Sequence, residues 1–179
     1  MSVRTRRIEN EWKILAVLAA HNPGIVEVIG RETHPDADVF HAILHQTSAV
    51  SPGEPPLLMQ AASHPVAFSF PAFYPGVPIE AFLVDSVLHP NIHPENGFVC
   101  LWDRFSRGDT VVEAIVKLQK IITWELSNDR AEHVMQPEAR SRIAGINIPL
   151  ACKPVRIPEA LKRERTYTAR SGGYGRLSR

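Results

Sequence analysis

With only Cys100 and Cys152 as its cysteines, the 179-residue chain has too few thiols for a disulfide scaffold, and such sparse use suits a reducing, cytoplasmic compartment. No stretch reaches the roughly 18 consecutive apolar residues that a membrane span needs. The apolar face that follows Arg4, Arg6 and Arg7 is broken by Glu11 and Lys13, which argues against an anchor or a secretory signal. Charge of one sign is also missing overall, with 20 Lys and Arg against 19 Asp and Glu. Metal-finger spacing and interleaved basic and aromatic positions are absent, so nucleic acid is not an expected partner. No glycine-rich phosphate loop occurs, and no cofactor is expected.

What is present is ordinary globular material: 44% hydrophobic and 22% charged residues, enough for one domain with some excess. The charge is unevenly spread. Residues 151–179 hold eight basic against two acidic residues and residues 1–7 hold three Arg, which leaves an acidic body of nine basic and seventeen acidic residues in 8–150.

Ile8, Trp12, Leu15 and Ala19 recur at helical spacing, predicting a helix over 3–20 that Asn22-Pro23-Gly24 ends. Strands are expected over 25–31, 39–46, 66–70 and 80–85, where β-branched and aromatic residues alternate with polar ones. These four form an antiparallel meander. From Phe70 to Asp109 the chain is rich in Pro and Gly with little periodicity, the kind of long loop that more often serves function. Thr110 and Glu113 form a capping pattern for a core helix carrying Val111, Ile115, Leu118, Ile122 and Leu126 on one face. It ends near Ser127-Asn128-Asp129. A shorter helix is expected over 131–144, with residues 1–157 as one catalytic domain and 158–179 as a basic, flexible tail.

Three chemistries compete on local evidence. Cys100, in Gly-Phe-Val-Cys-Leu-Trp, is either a nucleophile or a small core residue. His89-Pro90-Asn91-Ile92-His93-Pro94 together with Cys100 suggests zinc, but four ligands at a recognised spacing are missing. A thiol-protease pairing of Cys100 with one of eight histidines is available to almost any sequence and carries little weight.

The order of the whole loop is more specific. Phe70-Pro71, Tyr74-Pro75, Pro78, a strand, His89-Pro90-Asn91 and then Cys100-Leu101 closely resemble the core signature of ubiquitin-conjugating enzymes over residues 4–144. The resemblance implies an α+β fold: an N-terminal helix, a four-strand antiparallel meander, a long active-site loop, a core helix and a short C-terminal helix. It also implies a ubiquitin-like modifier carried as a thioester on Cys100, received from an ATP-using activating enzyme and passed to a target protein amine. Asn91 lies nine residues before Cys100, one more than is usual in the family. The Trp-x-Pro after the cysteine is missing, and Gly76 stands where many members carry an apolar ligase-docking residue, two departures from conventional ligase docking that leave a ligase partner open. This divergence resembles members of bacterial ubiquitination-like systems.

The residues suit such chemistry. A thiol is both nucleophile and leaving group, whereas a serine hydroxyl leaves poorly. Asn91 offers an amide N–H2 that, by the resemblance, stabilises the oxyanion or fixes the loop that does; the plainer account is an Asn satisfying turn backbone. Aligning Pro137-Glu138 with the family's Pro-Glu puts His133 opposite the cysteine, as a proton acceptor or as a solvated side chain, with Asp129 a weaker candidate. His89, Pro90, Tyr74 and Pro75 read as structural. In the family the first helix docks on the activating enzyme, which would use Arg4, Arg7 and Lys13. A non-catalytic modifier-binding module of the same fold is the main alternative, and a thiol hydrolase is a distant third.

Overall fold

The computed structural model describes residues 2–102, 104–128, 130, 133–145 and 153–162. Helix α1 spans Val3–His21, capped by the Ser2 hydroxyl, which accepts the Thr5 N–H. Five strands follow: β1 Val26–Thr33, β2 Ala37–Val50, β3 Leu58–Pro71, β4 Glu80–Leu83 and β5 Phe98–Val99. They form one antiparallel sheet in sequence order. Helix α2 is Val111–Ile122 and α3 is Ala139–Arg142. Among the described residues no helix is long and apolar enough to cross a membrane.

The α+β order expected from the sequence is present, with three differences of extent. Strands β2 and β3 run longer than expected because the segment before Val66 also pairs. Pro65 sits opposite Ile43 although it has no N–H to give. Helix α2 stops four residues short of Leu126. The Thr123 hydroxyl donates to the Gln119 carbonyl at 2.9 Å and Trp124 takes a left-handed φ of 63°. The shorter helix, α3, is four residues long rather than spanning 131–144, of which 131 and 132 lie outside the described residues.

The fifth strand comes from inside the long loop. It is two residues long, too short for any alternation to show. It pairs Ala81 with Val99 and Phe82 with Phe98 and exists because Gly97 lets two backbones meet. The Leu83 N–H donates to the Gly97 carbonyl at 2.9 Å, Gly97 has φ of 69°, and a Cβ there would fall 1.9 Å from the Leu83 oxygen.

The core lies between one face of the sheet and the two long helices. Phe40, Ala42 and Leu44 of β2, Val66, Phe68 and Phe70 of β3, and Ala81 and Leu83 of β4 point inward at alternate positions. From α2, Val111, Ile115, Leu118 and Ile122 face them. The apolar face of α1 is turned from the expected one: Ile8, Ile14, Leu15 and Leu18 are buried, Trp12 and Ala19 lie at its margin, and Glu11 is wholly buried among them.

Glu11 is inside because it has work for both carboxylate oxygens. One accepts the Tyr74 hydroxyl at 2.8 Å and faces the Arg7 guanidinium at 2.9 Å; the other accepts the Val111 N–H at 2.8 Å, at the start of α2. Burial pushes the carboxyl up, against the pull of Arg7, Val111 and Tyr74. A single side chain thus joins α1, α2 and the beginning of the long loop.

The C-terminal described segment is tied down by two buried amides. Gln119 donates to the Lys153 carbonyl and accepts the Val155 N–H, while Asn22 does the same with both backbone groups of Arg156. Leu161, within the segment expected to be a tail from 158, packs in the core. Residues 163–179 lie outside the described residues.

Candidate active site

The long loop is ordered by its own side chains. The Tyr74 ring packs edge-on against Phe70 at 5.1 Å while its hydroxyl reaches Glu11, and burial followed by the Glu11 charge holds the phenol protonated. The Trp102 indole N–H donates to the Ile79 carbonyl at 2.7 Å. His89 is buried edge-on to Trp124, ring centres 4.5 Å apart, and its Nδ1 accepts the Asn91 N–H at 3.1 Å. That bond leaves the proton of the neutral ring on Nε2. Burial, helped by the nearby Arg140 charge, pushes the imidazole down to about 3, so His89 is neutral at physiological pH.

The turn built by His89 delivers Asn91 to Cys100. The Cys100 N–H donates to the Asn91 carbonyl at 2.8 Å, and Ile92 pairs with Val99. Between them runs a hairpin in which the His93 N–H donates to the Phe98 carbonyl and the Gly97 N–H returns to the His93 carbonyl. Cys100 is half-buried directly after β5.

The Asn91 side chain is 1% exposed and engaged at both ends. Its Nδ2 donates to the Cys100 carbonyl at 3.0 Å and its Oδ1 accepts the Asn128 N–H at 2.7 Å. Asn128, in the turn after α2, directs its own Nδ2 to the Cys100 sulfur at 3.4 Å. Arg140 of α3 donates to the Asn128 carbonyl at 3.2 Å and to the Ser127 hydroxyl at 2.9 Å. From the sequence Asn128 is expected only as a helix stop, because no local signal separates it from the many Asn residues that end helices.

The segment after α2 docks on the His-Pro-Asn turn. The Met135 N–H donates to the Pro90 carbonyl at 2.7 Å, and Gln136, buried, donates to the Val87 and Ile92 carbonyls at 3.0 and 2.8 Å. His133 is half-buried two residues before Met135, with its backbone N–H on the Arg130 carbonyl. Asp129 and Cys152 lie outside the described residues. Among the described residues no group of three or more His, Cys, Asp or Glu is placed to hold a metal.

The cations of α1 divide into two sets. Arg4 pairs with Asp38 at 2.6 Å and donates to the Phe70 carbonyl at 2.9 Å. Arg7 serves Glu11 and also donates to the Tyr74 oxygen and the Asp109 carbonyl, each at 3.3 Å. These two fasten the helix to the loop. Arg6 and Lys13 point into solvent on a shallow surface shared with Thr5, Glu9 and Asn10.

No family model matches the chain, and no curated protein does. Among solved structures, it is similar to a candidate ubiquitin-conjugating enzyme from Trypanosoma cruzi, with TM-score 0.52 and 17% identity over 79% of this chain and 90% of that one. A candidate ubiquitin-conjugating enzyme from Plasmodium yoelii is similar at TM-score 0.53 and 16% identity, over 92% of this chain and 94% of that one. Taken with the helix, the sheet in sequence order and the cysteine after the ordered loop, these likenesses establish that the chain has the ubiquitin-conjugating fold.

Proposed function

We propose that the chain is a cytoplasmic transferase that accepts a ubiquitin-like modifier as a thioester on Cys100 from a separate activating enzyme and passes it to an amine of a target protein. The observation that carries this reading is the sulfur itself. It stands half-buried at the end of β5, its backbone fixed to the Asn91 turn on both the N–H and the carbonyl side, with an amide N–H directed at it. The backbone bonds would be needed by any residue there, but a core cysteine serving only as filler needs no N–H directed at its sulfur.

In this reading Asn91 fixes the loop that presents the cysteine, because one amide hydrogen and the amide oxygen already have partners. His133 accepts the proton of the incoming amine, which must lose it before attack. The activating enzyme docks on α1, where Arg6 and Lys13 are the accessible cations and Arg4 and Arg7 hold the helix in place.

The test is loading. Mixed with an activating enzyme, its modifier and ATP, the protein is expected to gain one modifier through a bond that a reducing thiol cleaves. Cys100→Ser is expected to give at most a thiol-resistant ester, and Cys100→Ala nothing. Loading that survives Cys100→Ala but is lost in Cys152→Ala assigns the reaction to the other thiol and ends the proposal for Cys100. His133→Ala is expected to slow discharge onto free lysine near neutral pH and to recover as the pH rises and free amine accumulates. An unchanged profile removes His133 from the mechanism.

A further inference from the structure

We propose that Asn128 is the hydrogen-bond donor that holds negative charge on the Cys100 sulfur, with Asn91 acting through it as a positioning residue. The inference rests on the acyl-transfer reading of Cys100 and adds to it a residue that contacts the reacting atom.

Three observations carry it. The Asn128 Nδ2 lies 3.4 Å from Sγ, and Asn128 is itself buried. Its backbone is clamped on both sides, the N–H by the Asn91 oxygen and the carbonyl by Arg140, so the side chain leaves from a fixed base. The same Asn91 side chain holds the Cys100 carbonyl. Donor and sulfur therefore hang from one buried amide, which sets the distance between them. Were Asn91 to swing its amide toward an oxyanion, both attachments would break.

The sulfur carries negative charge twice in the proposed cycle. In loading, the thiolate attacks the incoming thioester and its electron pair forms the new S–C bond, while the activating enzyme's thiolate leaves. In discharge, the amine lone pair forms the C–N bond, the C–S pair returns to Sγ as thiolate, and the surplus amine proton passes to His133 or water. A donor directed at the sulfur favours the charged form in both steps. A neutral amide does this without a proton of its own to lose. Among the described residues, the charged and titratable groups that contacts tie to this cluster are Arg140, on the Asn128 carbonyl, and His89, which is neutral, under the Asn91 N–H.

The experiment reads the sulfur directly, with no modifier present. The rate of iodoacetamide alkylation of Cys100 is followed against pH in a Cys152→Ala background, alone and combined with Asn128→Ala or Asn128→Asp. The midpoint is expected to rise by about one pH unit in Asn128→Ala, a tenfold change in the thiolate equilibrium. In Asn128→Asp, which keeps the shape, loses the donor and adds like charge, it is expected to rise further. Discharge of preloaded Asn128→Ala is expected to slow by about tenfold, in line with one hydrogen bond to a charged group.

Midpoints unmoved in both variants overturn the proposal, even if thermal stability falls, because a merely structural Asn128 leaves the thiol as it was. Should Asn128→Ala not fold, Asn128→Leu, close in size and carrying neither donor nor charge, decides in its place, an unmoved midpoint overturning the proposal and a raised one supporting it. If the midpoint moves but the unsubstituted protein never loads, the donor stands and the acyl-transfer reading fails, so the two failures are distinct.

Discussion

Two polar clusters lie under the long loop, and they are built from opposite materials. At the Tyr74 end a carboxyl and a guanidinium, Glu11 and Arg7, meet inside the protein with a hydroxyl and a helix N–H completing the set. At the Cys100 end the connections among the described residues run through neutral amides, Asn91 and Asn128, with a cation, Arg140, placed behind on a backbone carbonyl. In the first cluster the anion and the cation answer each other, and their bonds fasten α1 to α2 and the loop. In the second an amide N–H meets a sulfur, a weak acceptor until it becomes a thiolate. Charge is spent on architecture where the structure must stay fixed, and neutral donors are kept where charge must come and go.

The sharpest way to break this contrast is to cut the first cluster. Glu11→Ala leaves Arg7 half-buried without its carboxylate, takes the Val111 acceptor and leaves the Tyr74 hydroxyl with the Asp109 carbonyl at 3.3 Å. A loss of about 3–5 kcal/mol is expected on urea unfolding, the usual consequence of removing one partner of a buried pair. The alkylation midpoint of Cys100 in the residual folded protein is expected not to move. A moved midpoint would mean that the two clusters are coupled rather than separate.

The next effect in size is acid sensitivity through His89. Between the ordinary histidine value of 6.5 and about 3, the unfolded chain binds a proton that the folded chain refuses, so stability falls as the pH falls. The slope is about 1.4 kcal/mol per pH unit for one such group. His64, buried with its Nε2 on the Thr47 carbonyl, is also pushed down by burial and adds in the same direction. His89→Gln is expected to flatten much of the slope between pH 6 and 4 while lowering stability at pH 7. Protonating His89 at Nδ1 would also break its bond to the Asn91 N–H, so acid should loosen the turn that presents the cysteine. An unchanged slope would show that His89 titrates normally.

Asn91 connects the two kinds of evidence. Asn91→Ala removes a bond to the Cys100 carbonyl and one to the Asn128 N–H, and about 2 kcal/mol of stability is expected to go with them. Loading and discharge are expected to fall together, as for a positioning residue. A loss of about 10²–10³-fold in discharge alone, with stability intact, would instead mark Asn91 as the oxyanion donor.

How much of this was legible in the sequence follows the range of each interaction. The α2 cap was readable because Thr110 and Glu113 are neighbours in sequence, and the inward rows of β2 and β3 because alternation is local. The phase of α1 was misread because Glu11 looks like a solvent residue until Val111, a hundred residues on, supplies the N–H that lets it stay inside. Pro65 concealed the length of β3, and a two-residue β5 has no periodicity to read. At the site, Asn91 and Cys100 belong to one motif and could be seen together. Asn128 and Arg140 enter from beyond α2, through contacts 28 and 12 residues long in sequence, and only the folded chain brings them to the sulfur.

The smallest expected effect concerns α1, whose basic residues looked alike in sequence and differ in the structure. Arg4 and Arg7 are spoken for by Asp38 and Glu11, whereas Arg6 and Lys13 are exposed and seven residues apart, on one side of the helix. Reversing Arg4 and Arg7 to Glu is therefore expected to lower the unfolding midpoint, and any loss of loading would follow from that. Reversing Arg6 and Lys13 should leave stability within about 0.5 kcal/mol, as exposed substitutions usually do. Rim charges act mainly on the association rate, and 0.1 M salt screens them beyond about 10 Å. Loading of the Arg6→Glu, Lys13→Glu protein is thus expected to slow severalfold at low salt and to approach the unsubstituted rate as salt is added, with discharge of preloaded protein unaltered. If loading is indifferent at every salt concentration, this surface is simply solvated and the activating enzyme does not use it.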